Sequence, residues 1–101
     1  MAEGPSAPTM RLDKFLWFAR LAGTRTFAQE VAEARHLRID GRVIDKAAAP
    51  VRVGNILTFP LHDHVRVIRI EALPARRGPA PEARLCYTDL AENVSQQAGH
   101  D

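Results

Sequence analysis

A chain of 101 residues has room for one domain rather than two. Apolar residues make up 46% of it, which supplies one modest core and excludes a disordered polar chain. No apolar run approaches the roughly 18 residues that a membrane span needs. Met1 to Thr9 lacks a signal-peptide core, and Cys86 has no second cysteine to bridge to. These observations predict a cytoplasmic protein with no membrane contact.

The net charge of +2 conceals an asymmetry. Between Arg11 and Arg77 there are 13 Lys/Arg and 7 Asp/Glu, whereas Gly78 to Asp101 holds one Arg and four acids. Ten of the 14 basic residues lie between Arg11 and Arg66. Such a block suits a polyanion, but solvated basic faces are common, and charge alone leaves the two readings about even.

In chain order, Met1–Thr9 reads as a flexible tail. Arg11–Ala22 has helical periodicity, with Leu12, Phe15, Leu16, Ala19 and Ala22 on one face and Thr9 placed to cap it. Arg11 and Lys14 flank one side of that stripe and Arg20 the other, while Asp13 sits in the first turn, where an anion suits the helix dipole. Gly23 breaks the pattern. A second short helix follows, capped by Thr24 or by Thr26, the latter forming a capping box with Gln29. Its apolar face is Phe27, Ala28, Val31 and Ala34, and Arg25 beside its N-terminus suits a phosphate.

After Arg35 the period becomes alternating. Leu37–Ile39 and Arg42–Ile44 flank Asp40-Gly41, a strong two-residue hairpin signal. Lys46–Pro50 is a loop, Val53–Asn55 a turn and Ile56–Phe59 a strand. Pro60 with His62–His64 reads as a connection, and Val65–Leu73 as a further strand region. Pro74–Pro81 is a loop, and Pro81 opens a last helix over Glu82–Asn93. The expectation is an α+β fold: two short N-terminal helices on a small twisted, mainly antiparallel sheet, plus a C-terminal helix. It forms one domain over Met10–Val94, with the motif in 11–59, a strand and last helix in 65–94, and a frayed Ser95–Asp101.

The series Arg11-Leu12-Asp13-Lys14, Phe15-Leu16, Arg20, Thr24-Arg25, Ala28, Leu37 to Val43 and Val51 to Asn55 resembles a known RNA-binding domain. That domain was first recognised in the fourth small-subunit ribosomal protein and carries the αL motif. It is also appended to tyrosyl-tRNA synthetases and pseudouridine synthases. Each piece alone is weak, and the combination is specific. Glu71 to Ala83, followed by Leu85-Cys86-Tyr87, looks like the ribosome-associated heat-shock protein 15 family and extends the resemblance to about Val94. That resemblance implies a non-enzymatic protein without cofactor or small-molecule substrate. The implied partner is ribosomal RNA of the large subunit, on subunits that still hold a peptidyl-tRNA. Two departures stand out. Family members commonly have Gly where Arg35 stands. Long members continue into a basic C-terminal helix where this chain ends in an acidic tail, which predicts weaker binding or reliance on a partner.

With the resemblance, the RNA-binding candidates are Arg11, Lys14, Arg20, Thr24, Arg25, Gln29, Arg35, Arg38 and Arg42, with Lys46, Arg76 and Arg77 as an extension. Guanidinium groups suit bidentate phosphate contact and base stacking, so binding should follow RNA shape and weaken with salt. Against this stands a solvated face paired to Asp13, Glu30 and Glu33. Asp13 would repel phosphate and reads as structural, orienting a neighbouring Arg or capping its turn. Trp17 either stacks a base or packs, with packing favoured. His62 and His64 lack companion metal ligands, so no metal is expected. Cys86, placed on the last helix, reads as a small buried residue. Alternatives are the targeting module of a pseudouridine-synthase-type system and a basic protein-interaction module. Duplex DNA binding ranks low, and nothing demands more than a monomer.

Overall fold

The computed structural model describes residues 8–61 and 63–90 of the chain. A two-residue strand β1 (Met10–Arg11) leads into α1 (Leu12–Phe18) and α2 (Arg25–Glu33). Then come β2 (Leu37–Ile39), β3 (Arg42–Ile44), β4 (Pro50–Val51), β5 (Ile56–Leu61), β6 (His64–Ile70), α3 (Ala80–Arg84) and β7 (Tyr87–Asp89). Five strands form one antiparallel sheet in the order β3-β2-β5-β6-β7, and β1 pairs with β4 beside it. This is the expected α+β arrangement, with the two helices opening the chain. No described helix is long and apolar enough to cross a membrane.

The helices fold onto the sheet because their apolar stripes have nowhere else to go. Leu12, Phe15 and Leu16 of α1 and Ala28 and Ala32 of α2 are buried. They meet Leu37 of β2, the inward alternation Leu57 and Phe59 of β5, and Ile68 and Ile70 of β6 in one cluster. Val51 of β4 joins them, which ties β1 and the start of α1 to the core through the Met10–Val51 pair.

The Asp40-Gly41 hairpin forms as expected: both residues have positive φ, 51° and 86°, the type I′ pattern that suits strand twist. Asp40 is fixed there because its carboxylate accepts from Asn55 Nδ2 and the Ile56 backbone, each at 2.8 Å. Thr24 caps α2 by accepting from Phe27 N–H at 3.0 Å, so the Thr26–Gln29 box is not used.

Five sequence expectations change. Helix one ends at Phe18, not Ala22, and its N-cap position is Arg11 rather than Thr9. It stops in a Schellman-type turn: Leu21 N–H donates to Leu16 O at 2.9 Å and Arg20 N–H to Trp17 O at 3.1 Å. Arg20 itself takes the left-handed conformation at φ 61°. Pro60 is no connection. It continues β5 opposite Val65, on a strand whose preceding residues already fix the register. The further strand ends at Ile70 rather than Leu73. Finally, the expected helix over Glu82–Asn93 is a single turn, Ala80–Arg84, after which Tyr87–Asp89 pairs with β6. Pairing of Tyr87 and Thr88 against an open sheet edge outweighs the helix that Pro81, in its first turn, favours. Residues 91–93 of that expectation, the frayed Ser95–Asp101, most of the N-terminal tail and His62 lie outside the described residues.

Candidate nucleic-acid interface

The α1–α2 surface is organised by Asp13, which is fully buried and is the one buried charged residue among those described. Its carboxylate receives Arg11 Nε at 3.0 Å and an Arg11 Nη at 3.2 Å. It also receives Arg25 Nε at 3.2 Å, Gln29 Nε2 at 3.4 Å and the Lys14 backbone N–H at 2.8 Å. Helix geometry explains the convergence. Asp13 lies in the first turn of α1, Arg25 opens α2, and Gln29 stands one turn further along the same helix. Burial alone would raise the Asp13 pKa. The bonds from Arg11, Arg25 and Gln29, with the Arg25 charge, outweigh burial and hold it below the ordinary carboxylate value. Asp13 therefore stays an anion, and it is the orienting residue that its position suggests.

Two guanidinium groups sharing one carboxylate leave a surplus positive charge. The Arg11 side chain is 50% exposed and that of Arg25 is 37% exposed, while Asp13 is sealed beneath them. Such an arrangement fixes the cations without surrendering their outer faces. Lys14 extends the surface, with its Nζ 5.3 Å from the centre of the Phe18 ring.

Trp17 is half-buried against the core and carries two cations, Arg25 at 5.9 Å and Arg77 at 5.6 Å from its ring centre. Its packing fits the favoured reading. Arg77 also donates to the Trp17 carbonyl and, at 3.3 Å, to that of Ala22, so it closes the C-terminal end of α1. Reciprocally, Arg20 Nε donates to Gly78 O at 2.6 Å. Burial and the adjacent Arg20 charge push the Arg77 guanidinium below its usual value.

The remaining candidates are dispersed. Arg38 is exposed on β2 and, among the described residues, its side chain reaches only Gly41 O, at 3.5 Å. Arg42 lines a cleft with Asp40, Ala49, Pro50 and Arg52, and Pro50 is the strand partner of Arg11. Arg52 thus stands beside the candidate set although the charge pattern did not single it out; the Val51–Asn55 motif was its signal. Arg35, at φ 67°, keeps the left-handed helix exit where Gly would be relaxed, and it is exposed, as is Lys46. Thr24 is occupied as a cap. Arg76 is engaged by Glu82 at 2.8 and 3.3 Å. Cys86 follows α3 rather than lying on it, and burial, with nearby Glu82, pushes its thiol pKa up.

Comparison with known proteins agrees with this geometry. The S4 domain family model matches residues 10–57, the span of both helices and the hairpin. Heat shock protein 15 of Escherichia coli K12 is 35% identical over 97 residues, covering 96% of this chain and 71% of that protein. The RQC P-site tRNA stabilizing factor of Listeria innocua is 34% identical over 92 residues, covering 91% of this chain and 98% of that one. In structure, the trimeric heat shock protein 15 of Vibrio cholerae superposes with a TM-score of 0.80 at 29% identity, covering 92% of this chain and 93% of that chain. The likeness thus runs through α1, α2 and the hairpin and on across the sheet beyond the S4 span: this chain belongs to the heat shock protein 15 family and carries an S4 domain.

Proposed function

We propose that this chain is a non-enzymatic, cytoplasmic RNA-binding factor of the large ribosomal subunit, acting on subunits that retain peptidyl-tRNA. The observation that carries this reading is the buried Asp13 carboxylate, which holds Arg11, Arg25 and Gln29 in one array within the S4-matched span. Its relatives support the partner: one group is named for stabilising P-site tRNA in ribosome quality control. The contact face consists of Arg11, Lys14, Arg25 and Gln29 with Arg20, and Arg35, Arg38, Arg42 and Lys46 are separate, dispersed contact points. The ion pair with Glu82 takes Arg76 out of it. Fixed guanidinium groups of this kind position a protein on phosphates and sugar edges rather than read a base sequence. All these residues come from one chain, so one chain carries the whole proposed contact face.

The test is sedimentation with purified small subunits, large subunits and large subunits carrying peptidyl-tRNA, at two salt concentrations. Preferential pelleting with the peptidyl-tRNA-bearing large subunit is expected, with loss at high salt. Binding to none of the three overturns the reading. Equal pelleting with all three overturns the specialised role and leaves a general RNA-binding protein.

A further inference from the structure

Arg20 and Arg77 are 57 positions apart and lie on either side of the S4-matched span's boundary. Each is anchored by a backbone carbonyl next to the other: Arg20 by Gly78 O, and Arg77 by Trp17 O and Ala22 O. Unlike Arg11, Arg25, Arg66, Arg69 and Arg76, neither has a carboxylate within ion-pair distance among the described residues. Two guanidinium groups anchored at neighbouring backbone sites, with no carboxylate paired to either among the described residues, repel each other, and Arg20 does bear electrostatically on Arg77. The backbone anchors occupy Arg20 Nε and one Nη of Arg77. Both Nη groups of Arg20, and Nε and the other Nη of Arg77, have no protein acceptor among the described residues. None of these atoms of Arg77 is a buried, unsatisfied donor.

Backbone conformation adds an independent observation. Arg20 occupies the left-handed position that ends α1, at φ 61°, where glycine is the relaxed residue. Non-glycine residues in this region cluster at binding sites, where the surrounding structure holds them. Here the strained backbone delivers a guanidinium to the Gly78 carbonyl beside Arg77.

We infer that Arg20 and Arg77 form a two-guanidinium clamp for a single phosphate of the RNA backbone, joining the 74–79 loop to the S4 domain's RNA face. This rests on the RNA-binding reading above and adds a subsite to it. Paired planar donors match the tetrahedral oxygens of a phosphodiester, and the bound anion relieves the repulsion between the two cations. Arg77 on the Trp17 ring links the clamp to Arg25, and through Arg25 to Asp13.

The experiment compares the full chain with Arg20→Gln, Arg77→Gln, the double Gln variant and the double Lys variant. Each is titrated with ribosomal RNA from large subunits over a range of salt, and thermal midpoints are recorded in parallel. Each single Gln variant is expected to bind several-fold to about tenfold more weakly, with the log affinity against log salt slope reduced by about one. Because one phosphate is shared, the double Gln variant loses about one unit of slope, not two. The double Lys variant retains the slope, since its charges remain. Unchanged slope and affinity in the double Gln variant overturn the clamp, as does a loss of two units. So does a slope lost equally in the Lys variant alongside a lowered midpoint, which marks a structural tie only. If the unaltered chain binds no RNA, the RNA-binding reading itself has failed.

Discussion

The two ends of the sheet use arginine in opposite ways. Beside α1 and α2, Arg11 and Arg25 share the one carboxylate of Asp13, while Lys14, Arg20 and Arg77 have none among the described residues. On the β6–β7 side each arginine in contact with an acid meets a different one: Arg66 meets Asp89 at 2.8 Å, Arg69 meets Glu71 at 3.0 Å, and Arg76 meets Glu82 at 2.8 Å. There even the acids are secured, for Thr88 donates to Glu71 at 2.6 Å and, with Arg69, lowers its pKa. Counting arginines does not separate these regions. The distribution of carboxylates does, because a paired cation has little field left for a phosphate.

The largest effect is expected at Asp13, and it has a counterintuitive sign. Simple charge counting says that removing an anion from a polyanion-binding face tightens binding. The geometry says that Asp13→Asn frees Arg11 and Arg25 from their common anchor, so RNA affinity falls about tenfold as the lost preorganisation reappears as entropy on binding. Stability falls by about 1–3 kcal/mol, because the arginines lose a charged acceptor inside the fold. Filter binding with parallel thermal melts measures both, and tighter RNA binding by Asp13→Asn would refute the anchor. The pH dependence follows from the lowered carboxylate pKa. The Asp13 contribution is fully present above its ordinary value of 3.8 and is lost as pH falls through the lower folded value. The stability gap between the unaltered chain and Asp13→Asn is therefore constant from pH 5 to 8, on the order of that range, and closes in stronger acid.

Arg25→Ala comes next. It removes a partly exposed cation and a cover over Trp17, but leaves Asp13 paired with Arg11. RNA binding should weaken by a few-fold to about tenfold, with the salt slope lowered by about one and the fold retained. Equal affinity at matched salt would show that this end of α2 lies off the RNA.

The hairpin was legible in the sequence, the α2 cap as one of two alternatives, and Asp13 as a residue that orients a neighbouring Arg, because each of these depends on residues close along the chain; the reach of Asp13 to Arg25 and Gln29, 12 and 16 positions away, was not. Asp40-Gly41 demands one turn type, and Thr24 needs only Phe27 three residues on. What escaped were features decided at long range. Helix one ends early because Arg20 adopts a left-handed turn secured by Gly78, 58 positions away. The strand at Tyr87 exists because β6 offers it an edge, so a local helix signal at Pro81 carried only as far as Arg84. The β1–β4 pair spans two residues and has no periodicity to reveal it. For the site, sequence named the cations but could not tell shared from privately paired ones.

Arg35 offers a smaller, stabilising test. Its left-handed φ of 67° at the exit of α2 disfavours any residue with a Cβ, and its side chain is exposed. Arg35→Gly should raise stability by about 0.5–1 kcal/mol, the relief of strain outweighing the added freedom of the unfolded chain. A chemical denaturation midpoint reads this directly. RNA affinity measured on the same protein then isolates what the Arg35 charge contributes, since the fold is if anything firmer.

The smallest effect is expected at Arg76, and it decides between charge counting and charge pairing. Its side chain is 70% exposed, yet Glu82 takes its guanidinium in a two-point contact. An exposed pair of this kind contributes about 0–1 kcal/mol, so Arg76→Gln should leave the thermal midpoint nearly unchanged. Pairing also predicts RNA affinity within about twofold of the unaltered chain, because the phosphate field there is already cancelled. Net charge predicts otherwise: Arg76→Gln and Arg25→Ala each remove one positive charge, and a field set by the total would weaken both alike. Filter binding of the two variants side by side at one low salt concentration separates these cases. Equal losses would mean that the whole basic surface acts on RNA as a diffuse cloud. A loss confined to Arg25→Ala would mean that the face is made where carboxylates are shared.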